Sequence, residues 1–160
     1  MTGAVISYRI GAMTLTTLCY IQHNGCFLML YRNRKKVDEN AGKWIGVGGK
    51  FQEGESPEDC LLREVKEETG LTLLGYSFRG IVTFVSDEWG TEQMFLYTAD
   101  RFEGTLTDCD EGELRWIPVG EVPDLPLWEG DRYFLKKLLE SDEVFFMKLT
   151  YSGDELIRVE

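Results

Sequence analysis

Residues 49–71, GKFQEGESPEDCLLREVKEETGL, constrain the fold more than any other stretch of the chain. Ser56 is a natural N-cap, Pro57 suits the first helical position, and Asp59 completes a capping-box pattern with Ser56. Gly70 stands where a glycine in the left-handed conformation ends many helices. The stretch therefore predicts a loop followed by a helix that ends before Gly70.

Three carboxylates share one face of this predicted helix. Glu64, Glu67 and Glu68 are spaced i, i+3 and i+4, which places them side by side on the helix surface. Like charges at this distance repel, so a compensating cation is expected, and hard oxygen ligands suit Mg²⁺ or Mn²⁺. A solvated acidic helix surface explains the same spacing, and the spacing alone leaves both interpretations open.

Length and composition predict one domain over residues 1–160, since 160 residues with 43% hydrophobic content can bury a sizeable core. No apolar run approaches the roughly 20 residues that cross a bilayer, and the N-terminus lacks a signal-peptide pattern. The four cysteines show no metal-ligand spacing, so we expect reduced thiols and a cytoplasmic location. The only histidine, His23, lies in a predicted turn, which gives a zinc or Ser-His-Asp mechanism little support.

The net charge of −11 argues against binding to a nucleic-acid polymer, because neutralising phosphates requires clustered Lys and Arg. The charge is uneven along the chain. Residues 1–50 contain seven Lys/Arg and two Asp/Glu, whereas residues 100–131 contain ten Asp/Glu and two Arg. This asymmetry fits two regions that flank a metal–phosphate site, and it equally fits ordinary solubilising charge.

The remaining pattern predicts an α/β fold. Asn24-Gly25 is a strong hairpin signal between two β-branched and apolar runs. Strands are predicted at residues 14–21, 26–31, 44–47, 75–85, 92–99, 114–118, 144–151 and 155–159. A second helix is predicted at residues 129–140, with Tyr133, Phe134 and Leu138 facing inward. Residues 1–12 show little pattern and are expected to be a loosely held extension, which leaves Met1 or Met13 open as the start.

The helix stretch resembles a known family signature. The Nudix box has the form G-x5-E-x7-R-E-U-x-E-E-x-G-U, where U is aliphatic. Every fixed position is filled here, by Gly49, Glu55, Arg63, Glu64, Val65, Glu67, Glu68, Gly70 and Leu71. The resemblance implies an α/β/α sandwich with a central mixed β-sheet. It also implies an enzyme that cleaves a nucleoside diphosphate linked to another moiety.

The resemblance also implies residue roles within the box. Glu64, Glu67 and Glu68 correspond to the ligands of Mg²⁺ or Mn²⁺, and Glu64 is also a candidate for activating water. Arg63 is expected to pair with Glu55 and brace the helix. The glycine loop is expected to contact substrate through Gly48, Gly49 and Lys50, and Gly49 also offers a backbone oxygen to the metal.

A further acidic residue from a later loop is expected at such a site. Glu111, five residues before Trp116, matches that place best, with Asp110 and Glu113 as rivals. For all three residues, a solvated loop charge remains an equal alternative.

Beyond the box, the segments GKWIGVGGKFQEGE, ELRWIP and LPLWEGDRYF resemble oxidised-purine nucleoside triphosphatases of the MutT and mammalian 8-oxo-dGTPase type. By this resemblance Trp128 stacks on the base, and Asp131 hydrogen-bonds to it. Ile45 replaces an asparagine of the mammalian enzyme, and Gly130 replaces the first of two adjacent aspartates. A core position beneath the last helix is the other interpretation of Trp128.

The function implied is metal-dependent hydrolysis of a purine nucleoside triphosphate such as 8-oxo-dGTP to the monophosphate and pyrophosphate. Another Nudix activity, on ordinary nucleoside triphosphates or a sugar nucleotide, is the nearest alternative. A catalytically silent Nudix domain is the second, and the intact carboxylates argue against it. The expected partner is a small nucleotide, with no nucleic-acid polymer and no membrane, and the sequence leaves monomer and homodimer open.

Overall fold

The computed structural model describes residues 13–160, so the expected extension of residues 1–12 and the choice of start lie outside the described residues. The strands along this range are β1 (Met13–His23), β2 (Cys26–Arg32), β3 (Trp44–Ile45), β4 (Val47–Lys50), β5 (Thr72–Ser86), β6 (Gly90–Glu103), β7 (Gly112–Pro118), β8 (Phe145–Ser152) and β9 (Glu155–Val159). The helices are α1 (Pro57–Thr69), α2 (Asp131–Glu140) and a 3₁₀ helix at Val119–Asp124.

The strands form one mixed sheet in the order β3-β2-β1-β6-β5-β8-β9, with β4 paired to β1 and β7 paired to β2. β1 runs parallel to β6 and antiparallel to β4, while β5 runs parallel to β8. The first half of β1 therefore lies between β4, which leads into α1, and β6. This arrangement brings the glycine loop, β1 and β6 to one region of the sheet.

The two helices cover opposite faces of the sheet. Alternate residues of a strand point to opposite faces, and on β1 Tyr20 belongs to one buried cluster while Ile21 belongs to the other. Phe134 of α2 packs in the cluster of Tyr20, and Leu61 and Val65 of α1 pack in the cluster of Ile21. The predicted α/β/α sandwich with a central mixed sheet is confirmed.

Helix α1 begins and ends as the sequence predicts. The Asp59 backbone N–H donates to Ser56 Oγ at 3.1 Å, and the Ser56 N–H donates to the Asp59 carboxylate at 3.0 Å. Gly70 ends the helix with φ of 81°, a conformation that a Cβ disfavours. These caps fix the position of the helix and therefore the direction of its acidic face.

Two expectations differ from the structure. Strands β5 and β6 are longer than predicted, because they pair with each other from Thr72↔Glu103 to Ser86↔Gly90, a contact that their individual sequences do not reveal. Tyr133 was predicted to face inward and is 46% exposed. The buried positions of α2 are 131, 134, 135 and 138, an i, i+3, i+4, i+7 stripe that Tyr133 does not join.

The four cysteines carry free thiols, as expected. Among residues 13–160, neither helix combines the length and the apolar character that crossing a bilayer requires.

Candidate active site

A cavity of about 550 Å³ opens beside the N-terminal half of β1. One side is formed by the glycine loop, the acidic face of α1 and the loop that precedes β7. The opposite side is formed by the segment that leads into α2. Residues that were predicted as site residues and line this cavity are Gly48, Gly49, Lys50, Glu64, Glu111, Trp128 and Asp131. The structure thus brings both groups of predicted residues, from the box and from the chain's last third, to one cavity.

The glycines of β4 allow the backbone to approach its neighbours closely. A Cβ on Gly48 would lie 1.9 Å from the Thr17 carbonyl oxygen of β1. A Cβ on Gly49 would lie 2.4 Å from the carboxyl carbon of Glu64. The Gly48 N–H donates to Glu68 Oε2 at 3.1 Å, so this strand also positions a box carboxylate. The Gly49 carbonyl oxygen accepts a weak hydrogen bond from Cys60 Sγ at 3.5 Å.

The Arg63 side chain connects most of the box. Its Nε and Nη2 donate to the two Glu55 carboxylate oxygens at 2.7 and 2.8 Å, so the expected pairing is present. Nη1 donates to Glu64 at 2.7 Å and to Glu67 at 3.2 Å, and Nη2 also donates to the Lys50 carbonyl oxygen at 3.0 Å. The hydrogen bonds from Arg63 lower the pKa of Glu55 to about 2. The guanidinium therefore ties the glycine loop to the acidic helix face.

Glu68, which is buried, and Glu111, which is partly buried and lines the cavity, form a carboxyl pair. Burial, followed by the neighbouring Glu111 carboxyl, raises the pKa of Glu68 to about 9. Partial burial also acts to raise the pKa of Glu111, but the hydrogen bond from Lys35, at 2.7 Å, and the charge of Arg32 hold it below its usual value. The two shifts have opposite directions, so negative charge is more unfavourable on Glu68 than on Glu111.

The three acidic residues considered for the later loop have different surroundings. Glu111 lines the cavity and pairs with Arg32 and Lys35. Glu113 pairs with Arg115 at 2.6 Å, and Asp110 is exposed. The geometry therefore favours Glu111 over both rivals as a member of the site.

The acidic face is chemically suited to a hard divalent cation. Within residues 13–160 no three Asp, Glu, His or Cys side chains converge as a complete metal centre, and Glu64 and Glu67 are both engaged by Arg63. Burial raises the pKa of Glu64 as well as that of Glu68, which shows that unneutralised negative charge is costly here. Mg²⁺ and Mn²⁺ bind oxygen ligands, and a bound cation would neutralise the negative charge of these carboxylates.

Trp128 is both a core residue and a wall of the cavity. It is 4% exposed, and its ring packs edge-on against Phe84 and Tyr151 at centroid distances of 5.2 and 5.0 Å. Its Nε1 donates to Asn40 Oδ1 at 2.9 Å, and Lys43 Nζ lies 4.2 Å from the ring centroid. The indole plane is thus held rigidly, with contacts that fix its orientation toward the cavity.

Asp131 is the first residue of α2 and is 6% exposed. Burial raises its pKa to about 8, although the charges of Arg132 and Lys43 act in the opposite direction. Its carboxyl is therefore neutral near pH 7 and can donate a hydrogen bond as well as accept one. Ile45 lines the same part of the cavity and makes it more apolar.

Sequence reasoning missed several residues of this cavity. Asn40 lines the cavity from a polar loop in which Arg32 donates to Asp38 at 2.7 Å, and Lys43 of the same loop contacts the Trp128 ring. Glu92 of β6 also lines the cavity. The sequence contained a signal for this residue. Glu92 shares the alternation of Met94 and Leu96, which face the core, and it is the one charged residue of the three.

Comparisons with known proteins agree with the fold and the box. A family model described as the NUDIX domain matches residues 14–138. The uncharacterized Nudix hydrolase YvcI of Bacillus subtilis (strain 168) is 30% identical over 146 residues, covering 86% of this chain and 87% of its own. The oxidized purine nucleoside triphosphate hydrolase of Mus musculus is 35% identical over 109 residues, covering 66% and 69%.

Among solved structures, that of the mMutator MutT protein from Bacillus halodurans matches with a TM-score of 0.82 at 30% identity, covering 92% of this chain and 96% of its own. The family model thus spans most of the chain, and the similarity extends beyond the box to the whole sandwich. The chain belongs to the Nudix hydrolase family.

Proposed function

We propose that the chain, acting as one Nudix domain over residues 1–160, is a divalent-metal-dependent pyrophosphohydrolase of purine nucleoside triphosphates. Its preferred substrates are oxidised purines such as 8-oxo-dGTP, which it converts to the monophosphate and pyrophosphate. One observation carries this proposal: Glu64 of the acidic face of α1 lines the same cavity as Trp128 and Asp131. The name of the mouse relative supports the substrate class.

The phosphate side of the cavity is built to hold a triphosphate. Lys50, Lys35 and Arg32 line it and supply positive charge, and Gly48 and Gly49 let the backbone approach the ligand. The predicted ligands Glu64, Glu67 and Glu68 would hold Mg²⁺ or Mn²⁺, which supplies neutralisation of phosphate oxygens and a lowered pKa for attacking water. Glu64 is placed to accept the proton of that water, since it faces the cavity beside Gly49.

The remaining box residues position these groups. Arg63 holds the Glu64 carboxylate and the Lys50 carbonyl at once, so the loop and the helix move as a unit. Glu111 faces Glu68 from the other side and takes part in proton sharing with it. Pre-organised groups of this kind lower the barrier of phosphoanhydride cleavage because they need no rearrangement during the reaction.

The base side of the cavity suits a purine. Trp128 provides a large flat surface, and the neutral Asp131 carboxyl can donate to a base carbonyl while accepting from a ring N–H. Ile45 removes one polar contact from the wall, which favours a substrate range that includes ordinary purine nucleoside triphosphates. The intact carboxylate set argues against a silent binding domain.

A substrate panel tests the proposal directly. Pyrophosphate release is measured with Mg²⁺ or Mn²⁺ from 8-oxo-dGTP, dGTP, dATP, a pyrimidine nucleoside triphosphate and a sugar nucleotide. We expect activity only with metal and highest kcat/KM for the oxidised purine, with a smaller preference for purines over pyrimidines. Greater activity on the sugar nucleotide would refute the substrate assignment, and metal-independent or absent turnover would refute the enzymatic one.

A further inference from the structure

The cavity contains a second polar corner that the proposed mechanism does not use. It is formed by Thr16 of β1 and Glu92 of β6, and we call it the Thr16–Glu92 corner. In the parallel register of these strands, Thr14 pairs with Glu92 and Thr16 pairs with Met94. Thr16 and Glu92 therefore lie on neighbouring strands, two residues apart in the register and on the same sheet face. Both side chains line the cavity.

Within residues 13–160 the Thr16 hydroxyl lies near the Glu92 carboxyl but makes no hydrogen bond of standard geometry. Thr16 is 8% exposed, and its Oγ1 is the buried side-chain oxygen left unsatisfied in this part of the chain. A buried hydroxyl without a partner is unfavourable, because it has lost its hydrogen bonds to water. Since it borders the cavity, a polar group of a bound molecule can satisfy it.

Glu92 carries a carboxyl at a position of β6 where the alternation of the strand predicts an apolar side chain. Met94 and Leu96 follow it on the same face and both pack in the core. Burial, followed by repulsion from Glu39, raises the pKa of Glu92 to about 8, while the nearby Thr16 hydroxyl and the charge of Lys50 oppose that shift. When protonated, the Glu92 carboxyl offers a donor and an acceptor at the cavity wall, where Glu39 is its neighbour.

The Thr16–Glu92 corner adjoins the proposed base pocket. Phe84 is the cross-strand partner of Glu92 on β5, so their side chains are neighbours on one sheet face. The Phe84 ring also packs against Trp128, with centroids 5.2 Å apart. Trp128, Phe84, Glu92 and Asp131 all line the same cavity, so a base bound there can meet Glu92 from β6 and Asp131 from α2.

We propose that Glu92 and Thr16 form a second hydrogen-bonding contact to the substrate's base, so that Asp131 and Glu92 hold different edges of one purine. This inference rests on the proposed function and refines it. The ligand feature required is a donor next to an acceptor, as in the N2 amino group and N3 of guanine, an edge distinct from the carbonyl and ring N–H assigned to Asp131. Gly130 leaves Asp131 without an adjacent carboxylate, and Glu92 supplies the second carboxyl from a different element.

The experiment compares dGTP with the triphosphate of unsubstituted purine deoxyriboside, which keeps the sugar and phosphates but lacks the exocyclic groups. Glu92→Leu is expected to lower kcat/KM for dGTP about tenfold, mainly through KM, while changing the unsubstituted purine substrate much less. Thr16→Val is expected to act in the same direction with a smaller loss. Glu92→Gln retains a donor and an acceptor and is expected to recover most of the preference. Glu88→Leu, in the exposed turn before β6, is the matched control and is expected to change neither substrate.

An equal loss of kcat/KM for both nucleotides would mean that Glu92 contacts the sugar or only shapes the cavity, and it would overturn the proposal. Unchanged kinetics would overturn it as well. If Glu92→Leu does not fold, Thr16→Val decides by the same comparison. Binding affinities for dGMP and for the unsubstituted purine deoxyriboside monophosphate are measured by calorimetry with the metal chelated. Because no hydrolysis occurs in this measurement, it tests the Glu92 contact separately from the proposed function. In one outcome the parent protein hydrolyses no substrate and still binds dGMP more tightly than the unsubstituted monophosphate, with that preference lost in the variants. This outcome refutes the proposed function and supports the Glu92 contact. No binding preference in the parent overturns the Glu92 contact.

Discussion

Replacing Asp131 with asparagine should change the pH dependence of stability in a defined way. The Asp131 carboxyl is 6% exposed, and burial raises its pKa from 3.8 to about 8 in the folded protein. The folded state therefore binds this proton more tightly than the unfolded state does. Its contribution to stability is complete below about pH 4, and it is lost as pH rises toward 8.

The size of the effect follows from the shift. Each pKa unit corresponds to about 1.4 kcal/mol, so the shift sets an upper limit of about 6 kcal/mol on the cost of ionised Asp131. An asparagine side chain does not ionise, so the free energy of unfolding of Asp131→Asn should gain on the parent by up to about 6 kcal/mol as pH rises from about 4 to about 8.

Urea unfolding of both proteins at several pH values measures this difference. Asp124→Asn, which alters an exposed carboxyl near the cavity's α2 side, is the control and should show no gain with pH. A difference between Asp131→Asn and the parent that stays constant from about pH 5 to pH 9 would refute the argument that Asp131 is neutral in the folded state.

Three further predictions concern the box and the chemistry. Gly48→Ala places a Cβ against the Thr17 carbonyl oxygen, 1.9 Å away, and should lower the free energy of unfolding by about 1–3 kcal/mol or more; parent-like urea unfolding contradicts this. Arg63→Lys keeps the charge but loses the fork that holds Glu55 and Glu64, so kcat should fall about tenfold with the fold intact by circular dichroism; an unchanged kcat argues against the bracing role. The rate of hydrolysis should rise toward alkaline pH, because the attacking water must lose a proton; a maximum near about pH 5 would count against this mechanism.

The local parts of the fold were predictable from the sequence. Helix α1 was predicted with its caps because Ser56, Asp59 and Gly70 act on backbone groups within a few residues. The pairing of Arg63 with Glu55 followed from the family pattern, and the structure contains it. Signals of this kind depend on short chain separations, which a single sequence records.

The base side of the cavity was only partly predictable, because its contacts join distant segments. Asn40 orients Trp128 from 88 positions away, and nothing in the polar loop around Asn40 indicates this partner. Glu92 faces the cavity only because β1 and β6 pair in parallel, and that register is a tertiary property. The prediction that Tyr133 faces inward was wrong. Its aromatic side chain suggested the core, but its position on the helix lies outside the buried stripe.

Metal binding and turnover of one conservative variant test the central claim most directly. Glu68→Gln replaces a buried carboxyl of α1, which can ionise when metal binds, with an amide that cannot. Glu53→Gln, in the exposed part of the loop that precedes α1, is the matched control. Mn²⁺ affinity by calorimetry and pyrophosphate release from 8-oxo-dGTP are measured on both. We predict that Glu68→Gln loses most metal affinity and most turnover while Glu53→Gln matches the parent. Parent-like hydrolysis by Glu68→Gln would contradict the assignment of the α1 carboxylates as the metal site.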